Sequence, residues 1–206
     1  MRILCLADNH GLCPESRPDA DIALVCGDFS DFGLRYEELF RLLAEWRLPV
    51  YFTSGNHESP ELCADIAGDY GAVCLDYAWA RTSGLFLAGV GGHDLFDHVE
   101  REIRVEDFAR RLYGLQVRPE PAFSILMTHE PPWPWKYEGR VRGGERLRDV
   151  VRAWPFDLVL AGHFHAESSR LLRESVIRPT LNPSVAGCVV EVKAANRSFA
   201  VVPWHE

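Results

Sequence analysis

Eight histidines occur in this chain of 206 residues, and five of them fall in short polar clusters that also hold carboxylate or amide groups or follow a glycine or threonine. The clusters are Asp8-Asn9-His10, Gly27-Asp28-Phe29-Ser30-Asp31, Gly55-Asn56-His57-Glu58, Thr128-His129 and Gly162-His163-Phe164-His165. Asp8, Asp28, Asn56, His10, His129, His163 and His165 form a mixed oxygen and imidazole donor set. No cysteine lies in any cluster, which disfavours a structural thiolate site. Two divalent ions about 3.5 to 4 Å apart, held by such donors and a shared anionic bridge, relieve charge on phosphoryl oxygens and generate a nucleophile from water at neutral pH. The chemistry implied is hydrolysis of a phosphate ester. Taken singly, Asp-x-His or Gly-His recurs by chance, so order and placement carry the reading.

Placement follows from the apolar runs that precede the clusters. Ile3–Ala7, Ile22–Cys26, Val50–Thr53, Ser124–Met127 and Leu158–Ala161 read as buried strands. Each cluster therefore sits where a strand ends, the edge at which open α/β sheets bind ligands. Helical patterns are expected over Leu34–Trp46, Pro60–Ala67, Val99–Leu115 and Arg146–Trp154, and further short strands over Ala72–Leu75, Ala78–Arg81 and Leu85–Val90. The first seventy residues follow βαβ grammar and the final third is strand-rich. Two packed sheets flanked by helices fit that order better than one doubly wound sheet, in a single domain over residues 1–206.

With 47% hydrophobic residues, the chain can bury one substantial core. No apolar run approaches the roughly 18 residues of a membrane span, and the first residues enter a strand directly, so a cytoplasmic protein is expected. The six cysteines (Cys5, Cys13, Cys26, Cys63, Cys74 and Cys188) contain no CxxC pair and read as reduced, partly core residues. A net charge of -8 argues against broad affinity for nucleic acid or anionic lipid, although bound cations would reverse the local field at a phosphate site. Nothing in the sequence addresses oligomeric state.

Asp-x-His, Gly-Asp-x-x-Asp, Gly-Asn-His-Glu, Thr-His and Gly-His-x-His, in this order over residues 8 to 165, resemble the motifs of the calcineurin-like metallophosphoesterase family. The resemblance implies a four-layer αββα sandwich and two divalent ions (Mn, Fe, Zn, Co or Ni, with manganese favoured). It puts Asp8, His10 and His165 on the first ion, Asn56, His129 and His163 on the second, and Asp28 between them. It further implies a bridging hydroxide as nucleophile, His57 as the acid that protonates the leaving oxygen, Asp31 as the carboxylate that orients His57, and contact of Asn56 with substrate. Phe32 follows Asp31 where serine/threonine phosphoprotein phosphatases carry arginine-glycine, so that branch does not match. The pattern is similar to the small single-domain phosphodiesterases of bacteria and archaea acting on small-molecule phosphate esters. A phosphomonoesterase on a small metabolite and a non-catalytic metal-binding scaffold of the same fold are the alternatives.

The segment from Glu130 to Gly144 is read as a loop with three aromatics and three cations near His129. Trp133 and Arg140 are candidate substrate contacts there, the alternative being that prolines and tryptophans pack a loop rim. His93 ends the Leu85–Val90 run and is a further candidate for lining the pocket. His98 and His205 read as solvated, and Asn182-Pro183-Ser184 as a structural turn.

Overall fold

A computed structural model describes residues 1–92, 98–115, 123–132, 135–137, 140–142, 147–163, 165, 170–172, 178–183 and 185–202. Two six-stranded sheets dominate it. The first contains β1 (Arg2–Leu6), β2 (Ile22–Cys26), β3 (Val50–Thr53), β4 (Val73–Cys74), β13 (Cys188–Lys193) and β14 (Ser198–Val202), in the order β14-β13-β1-β2-β3-β4. The second contains β5 (Ala78–Thr82), β6 (Leu85–Val90), β7 (Phe123–Thr128), β10 (Leu158–Ala161), β11 (Arg170–Leu172) and β12 (Thr180–Asn182), in the order β11-β12-β10-β7-β6-β5. The strands that precede the polar clusters run parallel to one another, β1, β2 and β3 in one sheet and β7 and β10 in the other, while β1 pairs antiparallel with β13 on its far side.

Period-2 alternation explains the layers. Along β1 and β2, Ile3, Cys5, Ile22, Leu24 and Cys26 face the second sheet and meet Leu87, Ile125, Met127 and Leu160 in the inter-sheet core. The intervening Leu4, Leu6, Ala23 and Val25 face outward onto Leu39, Phe40, Leu43 and Ile66 of α1 (Glu37–Glu45) and α2 (Pro60–Tyr70). Leu126 and Val159 of the second sheet likewise pack on Phe108, Leu112 and Val150 of α3 (His98–Gly114) and α4 (Leu147–Ala153). Strands covered on both faces read as continuous apolar runs, and the result is an αββα sandwich of four layers.

Helix ends differ from expectation for local reasons. α1 begins at Glu37 and not at Leu34, because Asp31 and Leu34 close a turn through paired backbone hydrogen bonds of 2.9 and 3.1 Å and Arg35 sits at φ 64°. α2 starts where expected: Ser59 caps it, accepting the Leu62 N–H, and Pro60 occupies the first turn. It continues past Ala67 to Tyr70, where Gly71 at φ 65° supplies the left-handed stop. Some of the segment read as a loop after His129 is a β-hairpin of β8 (Trp135–Tyr137) and β9 (Arg140–Arg142), with Trp135 opposite Arg142 and Tyr137 opposite Arg140. No described helix is long and apolar enough to cross a membrane.

Candidate metal centre

The loops after β1 and β2 continue the parallel pairing of their strands. Asp8 N–H donates to Gly27 O (3.1 Å), His10 N–H to Asp28 O (2.9 Å) and Gly11 N–H to Phe29 O (3.0 Å). To aim side chains off the sheet edge while keeping these bonds, Asp8, His10 and Asp28 adopt left-handed backbone at φ 56°, 45° and 47°. His163 and His165, on the opposite sheet, do the same at 71° and 34°. Such conformations cost on the order of 1 kcal/mol or more each for residues with a Cβ and collect at functional sites. Glycine is required beside them: a Cβ on Gly55 would collide with the Asp28 carboxylate, and one on Gly27 with the His129 ring.

A residue without an assigned role in the sequence reading holds this arrangement together. Glu58 Oε2 accepts the backbone N–H groups of Asp28 (2.9 Å) and Gly55 (2.7 Å), while Oε1 accepts Ser30 N–H (2.9 Å) and Ser30 Oγ–H (2.7 Å). One carboxylate thus ties the loop after β2 to the loop after β3. Burial pushes its pKa up, and the donors from Ser30 and Gly55 oppose that shift without cancelling it. Asp76 has a similar role in the link between β4 and β5, accepting Ser54 N–H (2.9 Å) and Ser54 Oγ–H. The only sequence signal for either was Glu58's place in the third cluster.

Two groups of nitrogen and oxygen atoms converge around Asp28. His10 Nε2 and His165 Nε2 are 3.1 Å apart, with Asp28 Oδ2 4.0 Å from His10 Nε2. On the other side His129 Nε2 lies 3.2 Å from His163 Nδ1, 3.0 Å from Asn56 Oδ1 and 3.3 Å from Asp28 Oδ2. An ion with bonds of about 2.1 Å sets neighbouring ligand atoms about 3.0 to 3.4 Å apart, a spacing matched by every separation here except the 4.0 Å between His10 and Asp28. Within reach of one ion fall His10, Asp28 and His165, and separately Asp28, His129 and His163. Asp8 lies beside these groups: its Oδ1 accepts the His163 N–H at 2.7 Å, and its buried Oδ2 has no hydrogen-bond partner among the described residues. An orphaned carboxylate oxygen beside paired imidazoles fits a cation.

Burial and the charges these groups present to one another set their protonation. Burial acts to lower the His129 pKa, but the hydrogen bond and charge of Asp28, with Asp8 and Glu58 behind it, raise it to about 9. Burial acts to raise Asp28, yet the bond and charge from His129, with His57, hold it well below the usual carboxylate range. Asp8 is pushed up by burial, against the pull of His129, and His10 is pushed down by burial, against the pull of Asp28.

His57 stands at the edge of this centre. Its backbone N–H donates to Asp28 Oδ1 (3.1 Å), and its ring Nε2 is 3.9 Å from Asp28 Oδ2. Nδ1 accepts a long 3.4 Å bond from Phe32 N–H. Asp31 approaches the His10 and His57 ring nitrogens within 4.8 Å, beyond hydrogen-bond distance, and is exposed. Of the other expected site residues, Arg140 lies in β9 of the hairpin, and Trp133 and His93 fall outside the described residues.

Residues 1–167 match the family model described as calcineurin-like phosphoesterase. A 3′,5′-cyclic-nucleotide phosphodiesterase of Nostoc sp. is 26% identical over 163 residues, which is 76% of this chain. The match spans 60% of that relative's length. Among solved structures, phosphopantetheinyl hydrolase from Mycobacterium tuberculosis superposes with a TM-score of 0.60 at 14% identity, covering 89% of this chain and 88% of its own. GAP50, the anchor in the inner membrane complex of Plasmodium, superposes with a TM-score of 0.61 at 12% identity, covering 100% of this chain and 89% of its own. Both likenesses concern the fold.

Proposed function

The chain belongs to the calcineurin-like phosphoesterase family, and we propose that it is a metal-dependent phosphodiesterase whose centre is organised by Asp28. Asp8, His10, His165 and Asp28 would hold one divalent ion, and Asn56, His129, His163 and Asp28 a second. Ions bound there relieve charge on the phosphoryl oxygens and make water acidic enough to serve as nucleophile at neutral pH. The observation that carries the reading is the position of one atom: Asp28 Oδ2 lies within 4.0 Å of nitrogens of both histidine groups and of His57.

The chain's own side chains account for the rest. Asn56 presents an amide at the edge of the second position, where it can also touch a phosphoryl oxygen. His57 Nε2 faces the centre and would deliver a proton to the leaving oxygen. With Phe32 N–H directed at Nδ1, a neutral ring carries its proton on Nε2. The Asp31 carboxylate, within 4.8 Å of a His57 ring nitrogen, would orient the ring. The Nostoc relative supports a diester as substrate class.

Hydrolysis of bis-p-nitrophenyl phosphate beside p-nitrophenyl phosphate tests the proposal, using chelator-stripped protein with manganese restored. Diester turnover dependent on manganese is expected. Preference for the monoester would make the protein a phosphomonoesterase, and no turnover with ions bound would leave a scaffold.

A further inference from the structure

Phe32 combines features that a turn residue does not need. Its backbone sits at φ 49°, followed by Gly33 at 81°, in a tight turn closed by the Asp31–Leu34 pair. Such a turn favours asparagine, aspartate or glycine at this position, and an aromatic residue with positive φ is an outlier. The strain is stably imposed: Gly33 N–H donates to Ser30 Oγ (3.0 Å), which in turn bonds Glu58, the carboxylate that shapes the centre. The phenyl ring lies face to face on the His57 imidazole, with centroids 3.8 Å apart and planes 20° from parallel, yet Phe32 is 74% exposed. It therefore covers one face of His57 and offers the rest of its surface to whatever approaches.

Other exposed apolar residues lie on the loops after β1 and β2. Leu34, across the turn, is 66% exposed, and Leu12, on the loop after β1, is 52% exposed. That loop touches the same region, since Gly11 packs against the Arg35 backbone and Cβ. Of the six exposed large hydrophobic residues among those described, three lie on the two loops that supply Asp8, His10 and Asp28. Clustered apolar exposure at the rim of a polar centre marks a binding surface.

We propose that the Phe32 ring is a specificity-determining wall for the leaving group, selecting phosphate esters whose departing alcohol is flat and apolar. The proposal rests on the phosphodiesterase reading, in which the leaving oxygen comes to His57 Nε2. Because the two rings are stacked nearly parallel, a group seated at the edge of His57 runs alongside the rim of the phenyl ring. A planar aromatic group gains an edge or offset contact there, and a compact alkyl group does not.

The test compares methyl phenyl phosphate with methyl hexafluoroisopropyl phosphate, whose leaving groups are of similar acidity but differ in shape, on the manganese-loaded protein. Phe32→Ala keeps the backbone N–H that meets His57 and removes only the ring. We expect it to lower the phenyl-to-fluoroalkyl ratio of kcat/KM about two- to tenfold, the usual worth of an aromatic contact. Phe32→Tyr should restore the ratio. An unchanged ratio, or equal slowing of both esters, would overturn the proposal and leave Phe32 a positioning residue for His57. Calorimetric binding of phenylphosphonate and isopropylphosphonate separates the two readings. Absence of turnover would defeat the phosphodiesterase assignment, whereas equal affinity of wild type for the two phosphonates would defeat the wall.

Discussion

On the first sheet, the loops after β1, β2 and β3 bind one another through backbone pairs and through Glu58, which alone receives four hydrogen bonds. On the second sheet, among the described residues, the loops after β7 and β10 reach the centre through His163 N–H to Asp8 Oδ1, His129 Nδ1 against Cys26 O, and the contact between the two rings. The carboxylates and His10 thus belong to a frame fixed by the first sheet, and the histidines of the second sheet, His129, His163 and His165, dock against it. A frame of this kind holds strained backbone and buried negative charge in place before any cation arrives, which is the ordering step a binding site otherwise has to supply on binding.

Breaking the frame should have the largest effect. Glu58→Ala strands the N–H groups of Asp28, Ser30 and Gly55 and is expected to cost about 3 to 5 kcal/mol of folding stability. His163→Ala, by contrast, should cost under about 1 kcal/mol in chelator-treated protein while still lowering ion occupancy. Denaturant midpoints of the two chelated variants decide this, and equal losses would erase the distinction between frame and docked histidines.

Asp28→Asn sharpens the comparison, since Asp28 is where frame and histidines meet. Removing its charge should lower occupancy of both ion positions together, read by elemental analysis, and abolish most turnover. Retention of two ions with full activity would show that the carboxylate bridges nothing.

In the proposed centre His57 rides on the frame and is not an ion ligand. His57→Ala should keep both ions and slow alkyl esters by about 10² to 10⁴, with activated aryl esters slowed less. Equal slowing of both would replace the acid role with a positioning one.

The smallest effect is a pH dependence of the metal-free fold. Folding raises His129 from near 6.5 to about 9, so its contribution is complete below about pH 6.5 and is lost as pH rises through about 9. Asp28, depressed on folding, contributes above about pH 4 and loses that contribution as pH falls. Both shifts express largely one ion pair. Chelated protein should therefore melt lower at pH 9 than at about pH 6, while ion-loaded protein should not follow that trend because ions displace the proton. Parallel trends in both forms would contradict the pairing.

The sequence was most legible where local pattern and long-range packing agree. Leu85–Val90 and Leu158–Ala161 are strands over the spans expected, since burial on both faces leaves an unbroken apolar run. The start of α1 was not legible, because the left-handed turn at Phe32 to Arg35 is a backbone choice that helical periodicity in Leu34–Trp46 conceals. The hairpin at residues 135–142 was hidden for a related reason: its strands are three residues each and interrupt a proline-rich segment. The polar clusters gave the candidate donors, but the role of Glu58 depends on the loops after β2 and β3 meeting in space, for which spacing along the chain carries no signal.

Anomalous scattering from crystals grown with manganese tests the central claim most directly. Two peaks about 3.5 to 4 Å apart are expected, one beside His10 and His165 and the other beside His129 and His163, with the Asp28 carboxylate between them. A single peak, or two peaks that do not share Asp28, would contradict it.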